Sequence, residues 1–138
     1  GMGSLSRVKL LLDTHILLWS VLEPDKLSTE VKAELEHAHN ELWLSPITLW
    51  EVHLLAERKR LQLRPDPARW IEHLLATIPF REAPLTHAVA LMSRRIDLAH
   101  QDPADRFLAA TAVVYGLTLL TADERLLQSH QFPTLSAR

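Results

Sequence analysis

The chain has 138 residues, 47% of them hydrophobic, which is about the size of one typical domain and enough to bury a core of its own. It contains no cysteine, which excludes disulfides and thiolate metal sites and gives no sign of secretion, so we expect a cytoplasmic protein. The net charge of −2 excludes the strong overall basicity of a generic nucleic-acid binder. Divalent ions held by carboxylates would nevertheless present positive charge to a phosphate.

The sequence is typical of one folded unit without membrane contact. No apolar run approaches the roughly 20 residues that a membrane span needs, and no repeat or low-complexity tract interrupts the chain. We expect a single domain over residues 7–138. Residues 1–6 include a glycine before Met2 and are expected to be a disordered remnant of expression engineering.

Short apolar runs alternate with helical segments in the first half of the chain. The run at 8–13 is typical of a strand that is buried on both faces. Serine before Pro46 and aspartate before Pro67 are typical helix starts. The elements predicted for this half are a strand at 8–13, helices at 14–22 and 29–39, a strand at 41–45, and helices from 46 to about 58 and from 67 to 76.

The second half continues the same alternation. Thr86 and Asp102 are typical helix caps, and Gly116 stands where a left-handed C-terminal cap is expected. The elements predicted here are a weak strand at 78–83, helices from 87 to about 95 and from 103 to about 115, a strand at 117–121, a short helix within 122–130 and an edge strand at 132–135. The alternation predicts an α/β sandwich with a mostly parallel sheet, whose ligands bind outside the carboxyl ends of the strands.

Two of the predicted strands are followed closely by an aspartate. Asp13 follows the first strand directly, and Asp123 lies two residues beyond the strand at 117–121. Taken singly, each is explained as a turn or helix-cap residue. Two carboxylates at the same edge of a sheet repel each other unless a cation lies between them, so the pair indicates a shared site.

Glu51 adds a third carboxylate. It shares a helical row with Ile47 and Leu55, which otherwise has the composition of a core-facing row. An unpaired charge on such a face is costly, so Glu51 needs either a metal ion or an ion pair with Arg58 or Lys59.

Asp102 and Asp105 begin one helix and divide into two roles. Asp102 precedes Pro103 and is typical of an N-cap that can pair with Arg106. Asp105 lies one turn later, in the first turn of the helix, where the helix dipole favours an acid. It also shares a helix side with apolar residues that should pack on the sheet, which directs it toward the edge of the core. We therefore assign Asp105 to a site with the other three carboxylates.

Three aspartates and one glutamate favour a hard cation over zinc. Mg²⁺ and Mn²⁺ prefer oxygen ligands, whereas zinc sites usually use cysteine or histidine. Such ions activate water and stabilise the transition state of phosphoryl transfer. The acidic residues therefore predict metal-dependent phosphoryl transfer.

Four segments in this order resemble the PIN domain, especially the VapC-type ribonuclease toxins: LLLDTHILLW, SPITLWEV, HQDPADRFLAATA and GLTLLTADERL. The resemblance covers nearly the whole chain and implies a three-layer α/β/α sandwich. It also implies a Mg²⁺- or Mn²⁺-dependent endoribonuclease that acts on RNA as the toxin of a type II toxin–antitoxin system. Such a protein is usually a homodimer and is inhibited by a cognate antitoxin protein. The family's catalytic, metal-binding acids fall on Asp13, Glu51, Asp105 and Asp123.

Five more residues are candidates for supporting the site. Thr121 matches the hydroxyl residue that often precedes the last acid, and Asp102 matches an acid common in the VapC-type subgroup. The others are Thr14, His15 and Arg106, close in sequence to the acids. His15 either approaches the metal or substrate, or is a surface or packing histidine.

Other conspicuous residues have structural explanations. His37 and His39 would point about 200° apart on a helix, which argues against a shared metal site. The basic run at 57–64 is a solvated helix end or an RNA-backbone contact. The tryptophans lie in apolar stretches and are expected in the core or at a dimer interface: Trp19, Trp43, Trp50 and Trp70.

Two rival functions use the same residues. An aspartyl phosphotransferase would use Asp13 as nucleophile, but such enzymes commonly have a second aspartate two residues on, where His15 stands. A non-catalytic PIN-like module would use the acids only to organise RNA or a protein partner.

Overall fold

The computed structural model describes residues 7–98, 101–129 and 131–137. Within these ranges the strands are β1 (Lys9–Leu12), β2 (Glu41–Leu44), β3 (Arg81–Glu82), β4 (Thr118–Thr121) and β5 (Thr134–Ser136). The helices are α1 (Thr14–Leu22), α2 (Thr29–Glu36), α3 (Pro46–Glu57), α4 (Pro67–Thr77), α5 (His87–Arg95), α6 (Pro103–Tyr115) and α7 (Glu124–Leu127), with a 3₁₀ turn at Pro24–Lys26. The expected expression remnant, residues 1–6, lies outside the described residues.

The five strands form one sheet in the order β3-β2-β1-β4-β5, and all four pairings are parallel. The chain builds outward from β1 through β2 to β3, and then continues on the other side of β1 with β4 and β5. The gap between the carboxyl ends of β1 and β4 is therefore a topological switch point, where open parallel sheets bind ligands.

The sheet is buried on both faces because successive side chains of a strand point to opposite sides. Leu10 and Leu12 of β1 pack in one core cluster with residues of α1 to α4, whereas Leu11 packs in a second cluster with residues of α6 and α7. The three-layer α/β/α sandwich and the parallel sheet are thus confirmed. No helix in the described ranges is long and apolar enough to cross a membrane.

The predicted helix starts are confirmed by hydrogen bonds from the capping side chains. Each cap accepts a bond from a backbone N–H two or three residues on, which satisfies one of the free donors of the first turn. The caps are Ser45, Asp66, Thr86 and Asp102.

Two elements are at least three residues shorter than predicted, and the edge strand predicted at 132–135 lies instead at Thr134–Ser136. Helix α2 ends at Glu36 instead of continuing to residue 39, because the Asn40 side chain donates to the Glu34 carbonyl at 2.9 Å and the backbone of His37 is extended. Strand β3 is only two residues long. Ile78 caps the end of α4 and its carbonyl accepts from the Phe80 N–H at 2.8 Å, so pairing with β2 begins only at Arg81–Glu82.

Gly116 ends α6 in the left-handed conformation, with φ 65° and ψ 42°. A Cβ atom there would meet nothing within 4 Å, so the cost of a side chain is conformational. We expect Gly116→Ala to lower the free energy of unfolding by about 1–2 kcal/mol in urea denaturation. Gly116→Asn should lose less, because asparagine tolerates this conformation. An alanine variant as stable as the wild type would contradict the assignment.

Candidate active site

A cleft of about 390 Å³ opens at the switch point between β1 and β4. All four predicted acids line it, together with three of the predicted supporting residues: Asp102, Thr14 and His15. The predicted lining residues thus come from four separate parts of the chain. The cleft also contains residues that the sequence did not assign to the site: Trp19, Ala122 and Arg125.

Asp13 is the most buried of the acids, with 9% of its surface exposed. It follows β1 directly and caps α1 by accepting from the His15 N–H at 3.3 Å, while its backbone N–H donates to the Leu120 carbonyl of β4. Its second carboxylate oxygen accepts from the Thr121 hydroxyl at 2.6 Å. Burial raises the pKa of Asp13, and the Thr121 hydrogen bond opposes that rise.

Thr121 joins the first and the last of the predicted acids. It is fully buried at the end of β4, and while its hydroxyl donates to Asp13 it also accepts from the Asp123 N–H at 3.0 Å. One side chain therefore fixes both the Asp13 carboxylate and the turn that carries Asp123.

Glu51 reaches the cleft from the second turn of α3. Its carboxylate accepts from the Thr14 hydroxyl at 2.6 Å. Partial burial raises the pKa of Glu51, the Thr14 hydrogen bond opposes this, and the nearby carboxylates of Asp13 and Asp102 raise it further. No ion pair to Glu51 is formed in the described part of the chain, so the alternative pairing with Arg58 or Lys59 is wrong.

Asp105 and Asp123 are bridged by Arg125, which sequence reasoning missed. The guanidinium donates to both carboxylate oxygens of Asp123, with Nε at 3.2 Å and Nη2 at 2.9 Å. The same Nη2 lies 3.6 Å from the nearer oxygen of Asp105. Hydrogen bonding to Asp123 raises the pKa of Arg125. The available signal was the segment TADER, which puts an arginine two residues after the last acid.

The predicted ion pair between Asp102 and Arg106 is wrong. Asp102 caps α6 as expected, but the Arg106 side chain turns inward and has only 6% of its surface exposed. It donates to carbonyls at and beyond the end of α5: Ser93 and Ile96 at 2.8 Å and Leu98 at 3.4 Å. Carbonyls at a helix end have no N–H donor within the helix, and here the guanidinium N–H groups are the donors. Arg106 thus ties the α5 end to the start of α6.

Three of the tryptophans confirm the predicted core placement. Trp19, Trp43 and Trp70 are partly buried and pack against the core clusters, whereas Trp50 is 54% exposed, so only the predicted alternative, a dimer interface, remains open for it. Trp19 also lines the cleft, 6.2 Å from the exposed His15 ring between ring centroids.

The expected separation of His37 and His39 is wrong because α2 ends before them. Their ring centroids are 5.5 Å apart, and the His39 N–H donates to Nδ1 of His37. The basic residues 58–60 are exposed at the end of α3, as expected for a solvated helix end.

The donor chemistry of the cleft fits a hard divalent ion, since its acids offer carboxylate oxygens. Burial raises the pKa values of Asp13 and Glu51, and neighbouring carboxylates raise them further. Within residues 7–98, 101–129 and 131–137, no three His, Cys, Asp or Glu side chains form a group that could hold an ion as they stand. Loading an ion would therefore require side-chain movement, including at the ion pairs of Arg125.

Comparison with known proteins identifies the family that the four sequence segments resemble. The family model described as PIN domain matches residues 10–130. Ribonuclease VapC22 of Mycobacterium tuberculosis is 36% identical over 124 residues, covering 89% of this chain and 92% of that protein.

Solved structures share the fold at low sequence identity. A chain of VapBC2 from Rickettsia felis, solved with a promoter DNA fragment, has a TM-score of 0.71 at 13% identity, covering 94% of this chain and 98% of that one. A chain of FitAcB from Neisseria gonorrhoeae has a TM-score of 0.67 at 23% identity, covering 93% and 97%.

We expect Arg106→Met to lower the free energy of unfolding by about 2–4 kcal/mol, because it leaves buried carbonyls without their donors. Urea denaturation measures the loss. Arg94→Met removes an exposed arginine of α5 and should stay within about 0.5 kcal/mol of the wild type. Equal stability of the two variants would show that the Arg106 contacts contribute nothing.

Without metal, Glu51→Gln should become more stable than the wild type as pH rises. The folded-state pKa of Glu51 is raised, so its contribution to stability is present below the ordinary glutamate pKa and is lost as pH rises through the raised value. Glutamine keeps an acceptor for Thr14 but carries no charge. Urea midpoints in EDTA should agree at pH 4 and separate in favour of the variant toward pH 7. The exposed Glu72→Gln should show no such divergence, and a parallel profile for Glu51→Gln would refute the burial effect.

Proposed function

The chain belongs to the PIN-domain family, and from this we propose that it is a metal-dependent endoribonuclease, the toxin of a type II toxin–antitoxin pair. The relative named Ribonuclease VapC22 supports RNA as the substrate. The observation that carries the proposal is the cleft in which Asp13, Glu51, Asp105 and Asp123 come together from four separate parts of the chain.

Five carboxylates line the cleft against one guanidinium, that of Arg125, so the cleft would repel a phosphodiester unless a further cation is bound. Besides the four acids, Asp102 also lines the cleft, and the burial of Asp13 strengthens every charge–charge interaction around it. We propose that the four acids hold Mg²⁺ or Mn²⁺. A divalent ion there would supply an activated water and stabilise the negative charge that develops on the phosphate.

Contacts around Asp13 and Glu51 support a site that is held in place in part before an ion binds. Thr121 fixes the Asp13 carboxylate, and Thr14 fixes that of Glu51. Each hydroxyl bond occupies one lone pair of a carboxylate oxygen, so lone pairs remain for a ligand. Asp102 caps α6 and thereby sets the backbone of its first turn, from which Asp105 projects. We therefore propose Asp102 and Thr121 as positioning residues, the supporting role that the sequence predicts for them.

The geometry disfavours Asp13 as a covalent nucleophile. The residue is nearly buried, with 9% of its surface exposed, so a phosphorus atom has little access for in-line attack by its carboxylate. Attack by water at the phosphodiester needs no such access and accounts for all four acids.

We further propose a cytoplasmic homodimer that a cognate antitoxin inhibits. Several solved chains with this fold come from VapBC complexes, which supports an antitoxin as partner. Large apolar side chains on the surface, such as Trp50 and Leu91, are available for protein contacts.

We expect Asp105→Asn to reduce Mn²⁺-dependent cleavage of a mixed RNA pool at least about 100-fold, because it removes a charged metal ligand and leaves the fold intact. Asp102→Asn keeps a competent cap and should retain part of the rate. The control is Asp25→Asn, an exposed acid outside the cleft, which should cleave at the wild-type rate.

Undiminished cleavage by Asp105→Asn would contradict the assigned role. A wild-type protein that binds RNA but cleaves none of a varied pool with Mn²⁺ would favour the non-catalytic binding module.

A further inference from the structure

Arg125 is the charged residue of the cleft to which the proposed reaction assigns no role. It is the second residue of α7, and its side chain is 57% exposed. Its guanidinium makes a two-pronged contact with Asp123, and its Nη2 also lies 3.6 Å from Asp105. These acids come from different elements, the start of α6 and the turn after β4, so the guanidinium lies where a cation shared by both would be held.

The two pairs of acids are stabilised in different ways. Asp13 and Glu51 each accept from a threonine hydroxyl, a donor that carries no charge of its own. Asp105 and Asp123 face a guanidinium, which offsets their charge directly. An ion binding to the first pair leaves the hydroxyl bonds in place, whereas an ion binding to the second pair must displace Arg125.

The exposure of Arg125 makes that displacement feasible. Partly exposed ion pairs contribute modestly to stability, and a long arginine side chain can swing into solvent without disturbing the core. A divalent ion also attracts the carboxylates more strongly than a single positive charge does at a similar distance.

We propose that Arg125 is an internal counter-ion that competes with the divalent metal for Asp105 and Asp123, and so sets the metal concentration at which the site fills. The inference rests on the proposed function, because it takes these acids as metal ligands. In the metal-free protein Arg125 holds the two carboxylates together, and on loading it leaves them to the ion.

The test is a Mn²⁺ titration of the full chain, followed by electron paramagnetic resonance of the free ion. Arg125→Gln should bind Mn²⁺ about three- to tenfold more tightly than the wild type, since it removes the competitor and its repulsion of the ion. Arg125→Lys keeps the charge and should stay within about twofold of the wild type. The matched control is Arg69→Gln, which breaks a similar exposed pair with the helix cap Asp66 on α4 and should leave the affinity unchanged.

A second measurement separates competition from misfolding. In EDTA, Arg125→Gln should keep the wild-type circular dichroism spectrum and melt at a lower temperature, because the acids lose their counter-ion. Mn²⁺ should then raise its melting temperature by more than that of the wild type. Wild-type or weaker Mn²⁺ affinity in Arg125→Gln would overturn the inference while leaving the ribonuclease proposal standing. Failure of the wild type itself to bind millimolar Mn²⁺ would overturn both.

Discussion

The hydrogen bond from Thr121 to Asp13, 2.6 Å long, joins the ends of the two central strands, and the site depends on it. Strands β1 and β4 are neighbours because the chain builds the sheet outward from β1 in both directions. Their carboxyl ends therefore meet, and the residues that follow them are forced together. Helices α3 and α6, packed on opposite faces of that sheet, bring Glu51 and Asp105 to the same cleft.

Such a concentration of carboxylates opposes folding. Burial and mutual repulsion raise the pKa values of Asp13 and Glu51, so at neutral pH these groups destabilise the metal-free protein relative to uncharged side chains. Threonine hydroxyls, backbone N–H groups and one guanidinium offset part of this cost. The proposed ion would offset the rest, which links metal loading to stability as well as to chemistry.

The sequence predicted the features that arise from short-range contacts. A cap such as Asp102 contacts an N–H only three residues away, and the acids follow apolar strands directly, so both are visible as local patterns. One turn separates Arg106 from Asp102, which favours a pair between them, yet the Arg106 donors reach a carbonyl thirteen residues earlier. Arg125 meets Asp105 across two elements, and α2 stops early because the Asn40 side chain takes a helix carbonyl. These contacts depend on tertiary structure, which periodicity does not encode.

The four carboxylates are proposed to form one metal site. Anomalous diffraction from crystals soaked in Mn²⁺ tests it most directly, because the signal locates the ion independently of activity. We expect a peak in the cleft beside Asp13 and between Asp105 and Asp123, with the Arg125 guanidinium turned away from both. A cleft without a peak at saturating Mn²⁺, with Arg125 still bridging those two acids, would contradict it.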